Sequence, residues 1–350
     1  MNQISSYSNC MLSLPNQQPC RWLYFRKNLW YPIRIAFANA GHFITKMKVP
    51  FVVTLIIAAV LTCGGFAQEP LYDVLATGSG RIVLFAPDFT VKWQHPAGNI
   101  TEVHRLKNGN FLFADGTVKE VTPEHKIVFQ YAPPEKKEGS FTCQRLPNGN
   151  TLIGENYSGI VREIAPDGSV AFELQTRFKT NDQHHRMRWV RKLPNGNYLV
   201  CHSGDHLVRE YKANGESVWE YATPNVAFLA ERLKNGNTIV SSLDRITEVD
   251  KNGKTVWEFQ KSDLPQLHIT SMCGFQILRN GNIVIGCYHA YNKDGTGVGM
   301  FEITRDKKLV WAYQKPTGDK IDMNMMGVEM QEPPAAKRRI PFRRFLVKRS

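Results

Sequence analysis

The chain has 350 residues, of which 42% are hydrophobic and 11% aromatic, so it can bury a core and is not a disordered or low-complexity polymer. Its formal charge of +13 points to a nucleic-acid binder until the charge is located. Residues 1–67 hold six of the 44 Lys/Arg and residues 333–350 hold seven, with no Asp or Glu in either stretch. The body between them carries 31 basic and 31 acidic residues, which excludes a basic nucleic-acid groove there.

From the N-terminus, Met1 to Thr45 show no acidic residue and no repeat. Lys46-Met47-Lys48, the apolar run Val49 to Leu61 and Gly65-Phe66-Ala67 then form a basic n-region, an h-region and small residues placed for cleavage before Gln68. The run is too short for a typical spanning helix. Cys63 raises a lipoprotein alternative, but Thr62 suits it poorly as the preceding residue. Residues 1–67 are therefore expected to be leader and signal peptide, with translation starting at Met47, and the product secreted or periplasmic.

Beyond the leader the chain repeats itself. Arg191 to Tyr221 holds one unit: Leu193-Pro194-Asn195-Gly196-Asn197, then Tyr198-Leu199-Val200, a polar loop, Leu207 to Tyr211, a turn at Asn214-Gly215, and Val218-Trp219-Glu220-Tyr221. An Asn-Gly pair between strand-forming runs predicts a tight two-residue hairpin with positive φ at both positions. Asn-Gly-Asn recurs at Asn108, Asn148, Asn195, Asn235 and Asn280, spaced 40, 47, 40 and 45 residues apart, each with Leu two residues ahead. A closing strand recurs six times, with its aromatic at Trp93, Phe129, Phe172, Trp219, Trp257 and Trp311. Four strands per unit of forty-odd residues is the signature of propeller blades. The aromatics are expected to pack between neighbouring blades, where large rings add most to burial.

Five hairpins against six closing strands locate the seam. Leu71 to His95 has the later strands of a blade but no first strand, and Gly327 to Gln331 looks like a first strand with nothing after it. Pairing the two closes an all-β, six-bladed propeller over residues 68–332 and removes its open edges. Residues 333–350 are expected to form a basic disordered tail. Their Lys/Arg cluster, interleaved with Phe342, Phe345 and Leu346, is the one place where contact with an anionic membrane is expected.

Four cysteines remain after cleavage: Cys143, Cys201, Cys273 and Cys287. Folding the last hairpin on Asn280-Gly281 sets Cys287 opposite Gly274, so Cys273 and Cys287 face opposite ways, and all four are expected to be buried thiols. No Cys/His spacing signals a zinc site.

If the Asn-Gly turns mark one face, the other face gathers the unusual residues. Arg177 to Arg188 leads into the fourth blade with His184, His185, Arg186 and Arg188, and the same blade contributes His202, Asp205 and His206. The sixth blade adds His268 and Tyr288-His289, the third Glu155-Asn156-Tyr157, and the first two His95 and Asp115. Seven of the nine His beyond the leader map there, all but His104 and His125. Converging imidazoles and guanidiniums at a channel mouth suit a small anionic ligand, or a divalent metal held by two or three of His184, His185, His202, His206 and His268.

The closing motifs Asn214-Gly215-Glu216-Ser217-Val218-Trp219 and Asn252-Gly253-Lys254-Thr255-Val256-Trp257 resemble the repeats of pyrroloquinoline-quinone-type propellers. The Leu-Pro-Asn-Gly-Asn hairpin resembles the repeats of bacterial arylsulfotransferase-like propellers, which are six-bladed and exported. The first resemblance implies a quinone cofactor, against which stand six blades and no adjacent Cys pair. The second implies a His that takes the sulfuryl group, with His184, His185, Arg188, His202 and His268 as candidates for the chemistry. Three functions follow in order: an exported, monomeric propeller binding a ligand or protein partner on its His-rich face, without established catalysis or cofactor; a sulfotransferase-like enzyme using a channel-mouth His; and a scaffold of an envelope complex.

Overall fold

The structure is a computed structural model that describes residues 69–99, 101–135, 139–314 and 324–333. The leader with its cleavage site, and residues 334–350 of the basic tail, lie outside the described residues. What is described is almost entirely β and forms six blades of antiparallel strands. The second blade comprises Glu102–Arg105, Phe111–Ala114, Val118–Val121 and Ile127–Tyr131. The third comprises Ser140–Arg145, Thr151–Glu155, Ile160–Ile164 and Val170–Gln175. The fourth comprises Val190–Lys192, Tyr198–His202, Leu207–Tyr211 and Ser217–Ala222. The fifth comprises Ala227–Arg232, Thr238–Ser242, Arg245–Val249 and Thr255–Gln260. The sixth comprises Met272–Ile277, Ile283–Cys287, Met300–Ile303 and Leu309–Tyr313.

The first blade is the seam. Val74–Phe85 supplies both of its middle strands, one arm pairing with Val328–Met330 and the other with Val91–Asn99. The register Val74↔Met330 and Ala76↔Val328 joins the two ends of the propeller and closes the ring as expected.

Burial follows position in the blade. The second strands Phe111–Ala114, Thr151–Glu155, Tyr198–His202, Thr238–Ser242 and Ile283–Cys287 are buried throughout, because both of their faces pack on neighbouring blades. The outermost strand Ser217–Ala222 instead alternates half-buried and exposed, the two-residue period of a strand with one wet face. The closing aromatics do pack across blades. Trp93 stacks on Phe111 with ring centroids 3.8 Å apart, and Phe172 on Tyr198 at 4.9 Å. Arg232 and Arg305 lie 4.7 and 4.2 Å over Trp219 and Trp257, in each case from the following blade.

The hairpins sit where the sequence placed them, but their geometry differs. In Leu106–Asn110 the Leu106 carbonyl accepts from the Gly109 N–H at 2.9 Å, and the Leu106 N–H donates to Asn110 O at 2.8 Å. Only Gly109 has positive φ, at 88°. This is a type I turn followed by a glycine bulge, and the same pattern repeats at Leu146, Leu193, Leu233 and Leu278. Asn108 keeps its φ negative and accepts the Asn110 N–H on its side chain at 3.0 Å.

A second repeated device has no counterpart in the expectations. Third strands carry Glu120, Glu163, Glu210, Glu248 and Glu302, all buried. Each accepts from the second Asn of its own hairpin: Asn110, Asn150, Asn197, Asn237 and Asn282. Four also pair with a cation of the following blade: Arg145, Lys192, Arg232 and Arg305. The second Asn of each hairpin thus orients a carboxylate that locks neighbouring blades together.

All four cysteines of the body are free and buried. Cys287 lies opposite Met272 rather than Gly274, because a bulge between Met272 and Phe275 shifts the register.

Candidate functional site

Three cavities follow one another along the propeller axis. The turn-face mouth is the largest, about 780 Å3, and is lined by His104, Arg145, Arg191, Lys192, Arg232, Glu120, Glu231 and Glu329 among others. Its buried charges are already matched. Arg191 reaches Glu102 at 2.5 Å and Glu231 at 3.8 Å. His104 lies between Glu102 and Glu329, 3.0 Å from each. Burial opposes charge on His104, but the two carboxylates overcome it and lift the imidazole to about 10. Arg191 and His104 in turn hold Glu102 down to about 2 despite its burial. The mid-channel cavity, about 170 Å3, shares this network. Glu102, His104 and Cys143 stand close enough together to bind a metal ion, but Arg191 and the protonated His104 already fill the coordination space of Glu102.

The opposite mouth is different in kind. A cavity of about 350 Å3 is walled by Phe141, Trp189, Val226, Phe228, Leu243, Tyr288 and Met326, with Thr101, His184, His185 and Arg188. These come from all parts of the ring: the first blade's closing segment, the segment leading into the second blade, the third blade's first strand, loops of the fourth and sixth, and both a strand and loops of the fifth. Such a volume lies at the low end of the range for small-molecule sites, ~300–1,000 Å3.

Arg188 is the cation of this cavity. Its guanidinium lies 5.2 Å over the Phe141 ring, and its Nε is buried without a partner. Arg145, Arg186 and Arg232 also bury an unpartnered Nε, yet each reaches an oxygen through a terminal nitrogen. Among the described residues no side-chain hydrogen bond or ion pair is made by Arg188. Burial accordingly lowers its proton affinity below that of an ordinary guanidinium. Beside it, His184 packs against Phe141 at 5.2 Å and against His185 at 5.0 Å. Burial, then the charge of Arg188, hold His184 down to about 4, so it is neutral at pH 7. The indole N–H of Trp189 is likewise buried without an acceptor.

The loop carrying these groups is held by the fourth blade's own exit turn. Asp205 accepts the N–H groups of Lys179 at 2.8 Å and Thr180 at 2.7 Å. Ser203 Oγ donates to His185 O at 3.0 Å, and the Arg188 N–H donates to Cys201 O at 2.9 Å. Gly204 is required by close approach, since a Cβ there would stand 2.8 Å from Thr180 Oγ1. His202 Nδ1 lies 2.8 Å from Arg186 O and its Nε2 2.9 Å from the Tyr211 hydroxyl. The ring is fully buried, and burial depresses it to about 4 despite the carbonyl contact.

The residues nominated from sequence therefore divide. His184, His185 and Arg188 share the cavity. His202 and Asp205 do not reach it; they brace the loop that does. Arg186 is also structural, with its guanidinium over Phe178 at 4.5 Å and a terminal nitrogen on Tyr157 O at 2.6 Å. Glu155 is buried in a cluster with Arg162 of its own blade and Tyr131 of the second. His206, His268 and His289 are exposed, with φ of 53°, 49° and 48°, and they line no part of this cavity. His95 sits 3.0 Å from His125 instead, stacked with Trp93. Of the five imidazoles considered for a metal, His184 and His185 share the cavity with ring centroids 5.0 Å apart, whereas His202 is enclosed within the blade and His206 and His268 stand outside the cavity. The residues missed were the apolar walls Phe141, Trp189, Phe228 and Met326, whose sequence signal is that of ordinary core.

No protein-family model matches the chain, and no curated protein matches it. Among solved structures, a Bacteroides caccae protein of unknown function is similar at 22% identity and a TM-score of 0.67, covering 75% of this chain and 99% of that one. A streptogramin B lyase aligns at 12% identity and a TM-score of 0.49, over 73% of this chain and 86% of its own. A virginiamycin B lyase from Staphylococcus aureus does so at 10% and 0.49, over 73% and 87%. At 22% identity the first likeness shows the fold alone, and with the six sheets of the ring it identifies the chain as a six-bladed β-propeller.

Proposed function

We propose that this propeller is an exported binding protein for a small anion, which it takes at the channel mouth opposite the Asn-Gly turns. The observation that carries this reading is Arg188. A half-buried guanidinium whose Nε is shut off from water, with no counter-ion beside it, is electrostatically unfavourable. The Phe141 ring beneath it offsets only part of that cost, whereas a bound anion supplies the missing charge and a bidentate acceptor. The test is calorimetry and thermal melting of the intact chain with benzoate and inorganic sulfate. An anion at 100 times its dissociation constant raises stability by about 2.7 kcal/mol. The reading requires that shift in the wild type and its loss in Arg188→Ala; an undiminished shift in Arg188→Ala would sink it.

A second reading is supported by His184. A neutral imidazole beside a cation in one cavity is the arrangement a sulfotransferase-like enzyme needs, with Arg188 holding the anionic group and His184 accepting it. Transfer from an aryl sulfate to a phenol that survives in His184→Ala would remove this second reading while leaving the first intact.

A further inference from the structure

We infer that the ligand is an apolar organic monoanion: one singly charged oxyanionic head, carboxylate or sulfate ester, on a ring-sized apolar body. The inference rests on the anion-binding reading above and narrows it to a substrate class.

The charge of the head follows from the cavity's own balance. Arg188 contributes one unpaired positive charge, and no carboxylate is among the described residues lining the cavity. His184 is neutral, and His185 is already engaged with Asp182 at 2.6 Å. A monoanion therefore leaves the site neutral. A phosphate monoester carrying two charges would leave one of them uncompensated against an apolar wall, which is unfavourable.

The body follows from the wall. Trp189, Phe228 and Met326 belong to one packed apolar cluster, and Phe141 lines the same cavity beside them. Leu243, at 37% exposure, stands on the rim and is one of the few large apolar side chains the propeller leaves in water. Groups for recognising hydroxyls are few: Thr101 already donates to Phe141 O at 2.5 Å, the Trp189 N–H can only donate, and beyond the cation and the imidazoles the Tyr288 hydroxyl is what remains. A sugar would thus lose more hydrogen bonds to water than it regains here. The Arg188–Phe141 contact also orders the ligand, with the head at the guanidinium and the body against the aromatic wall towards Leu243.

The test keeps one body and varies the head. Naphthoate, naphthyl sulfate, naphthyl phosphate and naphthalene methanol are titrated calorimetrically into the intact chain, with inorganic sulfate as a head lacking a body. The two monoanions should bind at least about tenfold more tightly than the alcohol or the phosphate, the worth of one charge-assisted contact. Arg188→Ala should erase the difference between naphthoate and the alcohol. Leu243→Ala, a rim change that does not threaten folding, should weaken naphthoate about three- to tenfold and leave inorganic sulfate unchanged. Phosphate or alcohol binding as tightly as naphthoate would overturn the substrate class, while Arg188-dependent sulfate binding would still uphold the anion site. Failure of every anion, inorganic sulfate included, would overturn both.

Discussion

Arg188 and Arg191 lie three residues apart on the fourth blade, and both serve the axis of the ring. Arg191 holds Glu102 and approaches Glu231, and these carboxylates raise its proton affinity despite burial. Arg188 has a phenyl ring beneath it and no carboxylate, and burial lowers its affinity. Two similar guanidiniums in one channel thus have opposite electrostatic standing. The satisfied one belongs to the architecture, joining the fourth blade to the second, while the unsatisfied one is what a ligand would complete. Charge matching, rather than residue type or cavity size, separates a structural group from a functional one here. By size alone the larger turn-face mouth, whose buried charges are already paired, would have been chosen.

The comparison can be broken most forcefully at Arg191. Arg191→Met removes one of the two cations on buried Glu102, leaving His104, and takes away the cation beside Glu231; removing one partner from such a buried network costs up to about 3–5 kcal/mol. Urea denaturation should show that loss, and a cost under about 1 kcal/mol would mean the network is not holding the blades. Next in size is the brace behind Arg188. His202→Ala leaves Arg186 O and the Tyr211 hydroxyl without their partner and should cost about 1–3 kcal/mol. It should also weaken anion binding, because the loop carrying Arg188 loses a fixed point; wild-type affinity in this variant would show that the brace does not position the site.

The pH dependence sharpens the contrast further. His104 titrates at about 10 in the fold against an ordinary 6.5, so its clasp between Glu102 and Glu329 is fully present below pH 6.5 and is lost as pH rises through 10. His184 and His202 are held to about 4, so the unfolded chain takes up protons that the fold refuses. Their contribution is therefore present above pH 6.5 and lost as pH falls towards 4. His104→Gln should flatten the alkaline limb of a melting-temperature profile and leave the acid limb in place. A profile unchanged by the substitution would contradict the clasp.

The ring was legible because blade building is periodic. Asn-Gly-Asn with its leading Leu, and the closing aromatics, recur at fixed offsets, and the unpaired Gly327 to Gln331 exposed the seam. Finer geometry was not legible where one residue's role depends on another strand. The bulge at Met272 to Phe275 moved Cys287 by two residues, and the third-strand glutamates gave no sign of burial until the second Asn of each hairpin was seen to bond them. The site was half legible. His184, His185 and Arg188 stood out as unusual in a loop, but so did His202 and Asp205, and only three-dimensional contacts distinguish side chains that face the cavity from those that hold the loop. The apolar wall carried no local signal because Phe141, Trp189 and Phe228 lead into or lie in first strands, where large apolar residues are expected anyway.

The central claim is that Arg188 is kept for a ligand and not for the fold. Its most direct test is the melting temperature of the wild type and of Arg188→Met, each with and without naphthoate. Without ligand, the variant should be as stable as the wild type or slightly more so, because a desolvated cation has been replaced by an apolar chain of similar length. With naphthoate, only the wild type should rise. A variant that is clearly less stable without ligand, or that responds to naphthoate as the wild type does, would contradict the claim.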